Sequence, residues 1–230
     1  MASPGACQPV EVAIEAVIFD YGGVLSLSPF GGLARLEERL GLAAGTLSHV
    51  LGFGLDVPEP APGEPWTNKW HLLEIGAIDI DEYAEWVAAR AEQVLGARID
   101  LAARMGEGMG SSSMLWPMVH EARRLRREGL RTAICTNNVV AFRSTWETHL
   151  PLDDFDVVVD SSEVGLRKPD PAIYRLTAGL LGAAPERCAF LDDHPGNVAG
   201  AEAVGMVGIH VVDDDVVAAV TALRAAIAAS

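Results

Sequence analysis

The sequence predicts an α/β fold, in which helices cover both faces of a parallel sheet and an α-helical domain is inserted near the start of the chain. Two observations predict it. Short apolar runs, typical of strands buried on both faces, alternate with segments in which apolar residues recur at helical spacing. One long interval breaks this alternation and contains helical patterns without a convincing strand.

Five apolar runs are predicted as the strands of the sheet. They cover residues 15–20, 131–136, 156–160, 188–192 and 207–212. Segments after the later runs are predicted as helices, because their apolar residues recur every three or four positions. Two examples are the series Ile173, Leu176, Leu180, Leu181 and the series Val216, Val220, Leu223, Ile227. Strands that alternate with helices in this way favour parallel pairing.

The interval of residues 26–106 is predicted to form the helical insert, within a core of residues 1–25 and 107–230. The proline-rich residues 57–65 are predicted to be a loop between insert helices, because proline disrupts a helix interior. The glycine- and serine-rich residues 106–113 are predicted to connect the insert back to the core. The clearest helical pattern of the insert is Ile80, Ala84, Val87, Ala91 and Val94.

The bulk composition excludes several classes of partner. The formal net charge of −15 repels nucleic-acid phosphates and anionic lipid surfaces. The chain has no signal-like N-terminus and no apolar run of the roughly 18 residues that a membrane span needs. Its three cysteines, Cys7, Cys135 and Cys188, lack the spacing of a metal site or disulfide framework. We expect a cytoplasmic protein with neither a nucleic-acid nor a membrane partner.

Polar residues able to do chemistry stand where the predicted strands end. Because the carboxyl ends of parallel strands meet at one edge of a sheet, we expect these side chains to gather in one site. They are Asp20, Thr136, Asn137, Asp192 and Asp193.

The three aspartates favour a divalent cation. Asp20 precedes a turn with paired glycines, which leaves its carboxylate open to a ligand and suits a nucleophile or a metal ligand. If Asp192 and Asp193 faced it at ~4 Å, each pair would repel by about 4 kcal/mol at an effective dielectric of 20. Oxygen ligands without a histidine or cysteine cluster favour Mg²⁺. Separately, each group also has a plain interpretation, as a strand-ending turn or an ordinary helix cap.

The remaining polar residues can bind an anion. Lys168 lies in a loop that Asp170 and Pro171 make rigid by starting the next helix, and a lysine held there can face a phosphate. Thr136 and Asn137 can offer a hydroxyl and a backbone N–H to an anionic oxygen. The alternatives are a solvated lysine and a common turn.

The order of acid, hydroxyl, lysine and acid pair resembles the haloacid dehalogenase-like hydrolase superfamily. The resemblance covers residues 15–24 and about 115–212, while the insert matches the helical cap of that family only in position and character. It implies a Rossmann-like core and a hydrolase, most often a phosphatase that acts on a small phosphorylated substrate. Asp20 would match the nucleophile that forms an aspartyl phosphate, Thr136 the phosphate-binding hydroxyl, and Lys168 the charge stabiliser.

The same resemblance implies a Mg²⁺ site. Its ligands would be Asp20, the backbone carbonyl of Gly22, and the acid pair, with Asp193 as a direct ligand and Asp192 acting through water. The insert would close over the site as a lid and select the substrate.

One position departs from the family pattern. Gly22 stands where phosphatases of the family carry an aspartate that protonates the leaving group and activates water. General acid-base assistance contributes roughly 10² to 10⁴ in rate. The leading hypothesis is a slow or selective phosphatase in which another group supplies the proton, with His71 and His194 as candidates.

Two alternatives remain. Hydrolysis of a carbon–halogen bond needs no acid at Gly22, because halide leaves without a proton, although such a site has little use for Mg²⁺. A catalytically degenerate domain that binds a phosphorylated ligand or a partner protein is the other alternative.

Overall fold

The computed structural model describes residues 13–28, 33–52, 66–98, 113–143 and 148–230. Their five strands form one parallel sheet in the order β3-β2-β1-β4-β5. The strands are β1 (Ala16–Phe19), β2 (Arg131–Thr136), β3 (Val157–Asp160), β4 (Cys188–Asp192) and β5 (Val207–His210). All five predicted strands are therefore confirmed, with ends that differ by no more than two residues.

The central position of β1 brings the predicted site together. Phe19, the last residue of β1, pairs with Ile134 of β2 on one side and with Leu191 of β4 on the other. The residues that follow these three strands therefore emerge side by side at one edge of the sheet.

Helices cover both faces of the sheet, as predicted. In the core they are α5 (Trp116–Arg127), α6 (Ser161–Val164), α7 (Pro171–Leu181), α8 (Pro195–Ala203) and α9 (Val216–Ala228). Two apolar clusters result, one containing Met118 and Leu223 and the other Ile173 and Ala201. None of the helices in the described part of the chain is long and apolar enough to cross a membrane.

The described part of the insert is helical. Its helices are α1 (Leu33–Leu40), α2 (Thr46–Leu51), α3 (Lys69–Glu74) and α4 (Ile80–Leu95). They share an apolar cluster of their own, in which Trp70, Leu73 and Val87 are buried. Val139, from the loop after β2, packs into the same cluster. The predicted loop of residues 57–65 and nearly all of the predicted connection of residues 106–113 lie outside the described residues.

The chain enters and leaves the insert along neighbouring paths. Ser26 forms an isolated antiparallel bridge with Met114. The Leu27 N–H donates to the Ser113 carbonyl at 2.9 Å, and the Leu115 N–H donates to the Leu25 carbonyl at 2.8 Å. The two connections are thus held together at the core.

Candidate functional site

Asp20 follows β1 and is nearly buried, with 8% of its surface exposed. Its Oδ1 lies 2.7 Å from the Lys168 Nζ and accepts a hydrogen bond of 2.7 Å from the Tyr21 N–H. Burial raises the pKa of Asp20 to about 8, Lys168 opposes that rise, and Asp192 and Asp193 add to it. A cation beside this carboxyl would therefore favour the charged form that a nucleophile needs.

Lys168 joins Asp20 to the acid pair. Its side chain is fully buried, and its Nζ lies 2.6 Å from Asp192 Oδ2 as well as close to Asp20. Burial acts to lower the pKa of Lys168, but Asp192 and Asp20 outweigh it, so that the pKa is raised. The ammonium is therefore held charged between two carboxylates, with the Phe190 ring 5.5 Å away.

Asn137 fixes the backbone of Lys168. The Asn137 Nδ2 donates to the Lys168 carbonyl at 3.0 Å, and the Lys168 N–H donates to Asn137 Oδ1 at 2.8 Å. The predicted role of Asn137 was for its backbone N–H, and this clamp by its side chain was not predicted. An asparagine after a strand is common in turns, so only the fold shows which loop it meets. Thr136, just before it, is 5% exposed, and its hydroxyl lies 3.5 Å from the Asn137 carbonyl.

The two adjacent acids have different surroundings. Asp192 is fully buried, and its Oδ1 accepts hydrogen bonds from the His194 N–H at 2.8 Å and from Asn197 Nδ2 at 2.9 Å. Because Lys168 occupies its other oxygen, Asp192 chiefly orients the lysine. That Asp192 would act on a metal through water stays a prediction. Asn197, one turn into α8, is a supporting residue to which the sequence analysis assigned no role.

Asp193 is partly exposed and lies against the turn after Asp20. A Cβ added to Gly23 would be 2.2 Å from Asp193 Oδ2, and Gly23 has a φ of 74°, so this position requires glycine on two counts. Burial and the neighbouring Asp192 raise the pKa of Asp193 to about 6, while the charge of Lys168 and, to a smaller extent, a hydrogen bond from Ser28 oppose the rise. Ser28 is a further contact of the acid pair that sequence reasoning missed, because a serine in a loop has no distinguishing pattern.

The residues present fit a hard divalent cation. Ligand oxygens of Asp20, Asp192 and Asp193 all lie within 4.8 Å of one another. Burial, and next to it the repulsion between neighbouring carboxylates, raises the pKa values of Asp20 and Asp193, and a cation would offset both effects. Gly22, whose backbone carbonyl is the other predicted ligand, lies in the turn that follows Asp20. It forms an isolated β-bridge with Ser26. Oxygen ligands of this kind suit Mg²⁺.

The two predicted proton donors are His71, which lies in the insert, and His194, which lies in the core. His71 is on α3 of the insert, 3% exposed, with its ring edge-on to Trp66 at 5.0 Å. Burial, reinforced by the charge of Arg167, lowers the pKa of His71 to about 3, so its ring is neutral at physiological pH and has no imidazolium proton to donate. His194 stands just before α8, where its backbone N–H contacts Asp192.

The sequence matches the family model described as haloacid dehalogenase-like hydrolase over residues 14–205. It is 30% identical to phosphatase MT3486 of Mycobacterium tuberculosis (strain CDC 1551 / Oshkosh) over 205 residues, which cover 85% of this chain and 86% of that protein. It is also 30% identical to bifunctional epoxide hydrolase 2 of Sus scrofa over 222 residues, 93% of this chain and 38% of that protein. The chain therefore spans less than half of the length of this second relative.

A solved structure has the same fold. It is a HAD family enzyme from Bacteroides thetaiotaomicron in complex with magnesium and inorganic phosphate, with a TM-score of 0.58 and 19% sequence identity. The match covers 84% of this chain and 91% of that chain.

Proposed function

The chain belongs to the haloacid dehalogenase-like hydrolase family, and from this premise we propose that it is a Mg²⁺-dependent phosphatase. Its substrate is a small phosphorylated metabolite, which it hydrolyses through an aspartyl phosphate on Asp20. The observation that carries the proposal is the convergence of Asp20, Lys168, Asp192 and Asp193 at one edge of the sheet. The similarity to a phosphatase over most of both chains supports it.

In the first step a carboxylate oxygen of Asp20 attacks phosphorus in line with the leaving oxygen. A new bond forms between Asp20 and phosphorus, and the bond to the leaving oxygen breaks with its electron pair. The buried ammonium of Lys168 and the Thr136 hydroxyl stabilise the negative charge on the other phosphoryl oxygens. The Asn137 clamp holds Lys168 in place for this purpose.

In the second step water attacks phosphorus and the bond to Asp20 breaks. This releases inorganic phosphate and regenerates the carboxylate. The electron pair of that bond goes to the departing carboxylate, and one proton of the attacking water goes to solvent. The Lys168 ammonium, 2.7 Å from Asp20 Oδ1, stabilises the negative charge that develops there.

The Mg²⁺ ion would be held by Asp20, the Gly22 carbonyl and Asp193, with Asp192 acting through water. When bound, it supplies positive charge that offsets the phosphoryl oxygens and the crowded carboxylates. With the ion bound, Asp20 and Asp193, whose pKa values are raised in its absence, would both be charged.

Gly22 makes the enzyme selective for the leaving group. Because Gly22 has no carboxyl group and His71 is neutral, we expect leaving groups that depart without a proton to be strongly favoured. Aryl and acyl phosphates are such substrates, whereas alkyl phosphates are not. We further propose that residues 26–106 act as a cap over the site and select among them.

A single panel of substrates tests the proposal. Phosphate release from p-nitrophenyl phosphate, acetyl phosphate and glycerol phosphate, and halide release from 2-chloropropionate, are measured with Mg²⁺ and with EDTA. We expect Mg²⁺-dependent phosphate release, fastest with p-nitrophenyl phosphate and acetyl phosphate and abolished by Asp20→Asn. Halide release that resists EDTA would instead identify a dehalogenase, and no release of phosphate or halide from any compound would favour a binding domain.

A further inference from the structure

We propose that Glu74 is a positioning residue, through which the helical insert holds the two core loops that carry Asn137 and Lys168. The inference deepens the proposed function, because it assigns the insert a part in placing the catalytic lysine. Glu74 is the last residue of α3 and is 5% exposed.

The Glu74 side chain forms a buried ion pair with the core. The Arg167 Nε lies 2.8 Å from Glu74 Oε2, and the two side chains are 7% and 6% exposed. The Trp66 ring covers the guanidinium at 4.5 Å. Arg167 immediately precedes Lys168, so the insert holds the loop of the lysine by a charged contact that is shielded from water.

The Glu74 backbone makes a second contact with the core. Its carbonyl accepts a hydrogen bond of 2.6 Å from the Ser161 hydroxyl, which in turn accepts one of 2.9 Å from the Asn138 N–H. Ser161 is fully buried at the start of α6. A Cβ at Gly76 would lie 2.9 Å from the Ser162 carbonyl, which shows how closely the end of α3 approaches this helix.

The two contacts converge on one unit of the core. Asn138 follows Asn137, whose side chain clamps the backbone of Lys168, while Arg167 precedes Lys168. Glu74 thus contacts both loops from the insert. Its side chain holds the loop of Lys168 through Arg167, and its carbonyl holds the loop of Asn137 through Ser161 and Asn138. Loss of the carboxylate leaves the Arg167 guanidinium buried without this acid, and its shift toward water would move the adjoining Lys168.

Two amides report this coupling without any need for turnover. The Asn138 N–H donates to Ser161 Oγ and the Lys168 N–H donates to Asn137 Oδ1, so each exchanges with solvent only when its loop opens. Their exchange rates are measured by NMR in the wild type, in Glu74→Gln, and in Glu121→Gln. The last is the matched control, because Glu121 is a similarly shielded acid paired with Arg224 far along the chain, between α5 and α9.

We expect both amides to exchange about tenfold faster or more in Glu74→Gln and to keep wild-type rates in Glu121→Gln. The kcat for p-nitrophenyl phosphate should fall with the exchange protection, while KM changes less. Unchanged exchange at Lys168 in Glu74→Gln, or equal acceleration in the control, would overturn the inference. If the wild type hydrolyses no ester, the proposed function fails and the exchange rates still decide the coupling.

Ser161→Ala keeps the test open if Glu74→Gln does not fold. It removes the hydroxyl that links the Glu74 carbonyl to the Asn138 N–H. It leaves no buried charge without its partner. Faster exchange at Lys168, which Ser161 does not touch in the hydrogen bonds described, is the expected result. Acceleration confined to Asn138 contradicts the proposal.

Discussion

The edge of the sheet and the helical insert are stabilised by different kinds of contact. At the edge, Lys168 is fully buried between two carboxylates. In the insert, Lys69 forms an ion pair with Glu82 that is exposed to solvent. An apolar cluster stabilises the helices there. The difference shows that several acids gather around one buried lysine where the chemistry is proposed, whereas the helices of the insert pack mainly through apolar side chains and bury the Glu74–Arg167 ion pair where α3 meets the core.

The largest expected effect follows from removal of the buried ammonium. Lys168→Met leaves Asp20 and Asp192 buried without their cation, which should lower the free energy of unfolding by about 3 to 5 kcal/mol and reduce kcat by about 10² to 10³. Urea unfolding and phosphate release measure the two effects. Lys69→Met is the control and should cost no more than about 1 kcal/mol, since its ion pair is exposed. Equal costs would break the comparison.

The next largest expected effect is a gain of activity. Gly22→Asp restores the family's acid at the edge of the sheet, and Gly23 rather than Gly22 carries the left-handed conformation of the turn. We expect turnover of glycerol phosphate to rise by about 10², with little change for p-nitrophenyl phosphate. A steady-state comparison of the two esters checks this. No gain would mean that the insert already supplies the proton.

Mg²⁺ should stabilise the protein in a manner that depends on pH. In the metal-free protein the pKa values of Asp20 and Asp193 are about 8 and about 6, against 3.8 ordinarily, so the folded state binds more protons than the unfolded state. The contribution of these two groups to stability is therefore fully present below about pH 4 and is lost as pH rises through 6 and 8.

Saturating Mg²⁺ should offset that loss, raising Tm at pH 8 by about 5 to 10 °C and at pH 5 by much less. Thermal unfolding with Mg²⁺ and with EDTA at the two pH values measures the effect. In Asp193→Asn, the increase in Tm caused by Mg²⁺ should differ less between pH 8 and pH 5. An increment that is the same at both pH values would contradict the assignment of the acids.

The smallest expected effect lies within the insert. The hydroxyl of the buried Tyr83 donates to the Leu51 carbonyl at 2.6 Å, so Tyr83→Phe should cost about 1 kcal/mol of stability. We expect kcat to stay at the wild-type value. Parallel unfolding and activity measurements would sharpen the comparison, since a fall in kcat would show that internal packing of the insert reaches the site.

The strands were predicted well because strands buried on both faces leave short, continuous apolar runs with polar residues at their ends. The sequence also predicted which strand ends would meet, since parallel pairing places them at one edge. Helical spacing was less informative about packing. Leu180 and Val94 fit the predicted apolar patterns, yet they are 57% and 44% exposed. Periodicity identifies a helix, but the depth of each residue depends on what packs against it.

Long-range partners could not be predicted. Glu74 and Arg167 are 93 positions apart. Nothing local distinguishes a carboxylate that will be buried beside an arginine from one that stays in water. The Asn137 clamp on Lys168 was missed for the same reason, because its geometry exists only once two loops meet.

The neighbouring paths of the chain at Ser26 and Met114 have an evolutionary and practical consequence. Since both ends of the intervening segment are fastened together at the sheet, that segment is a cassette. A homologous segment of different length can be transplanted there while the strands keep their register, provided that it keeps the contacts of Glu74 with Arg167 and Ser161 that hold the reactive groups, so new specificities can arise by exchange of the rest of the cassette.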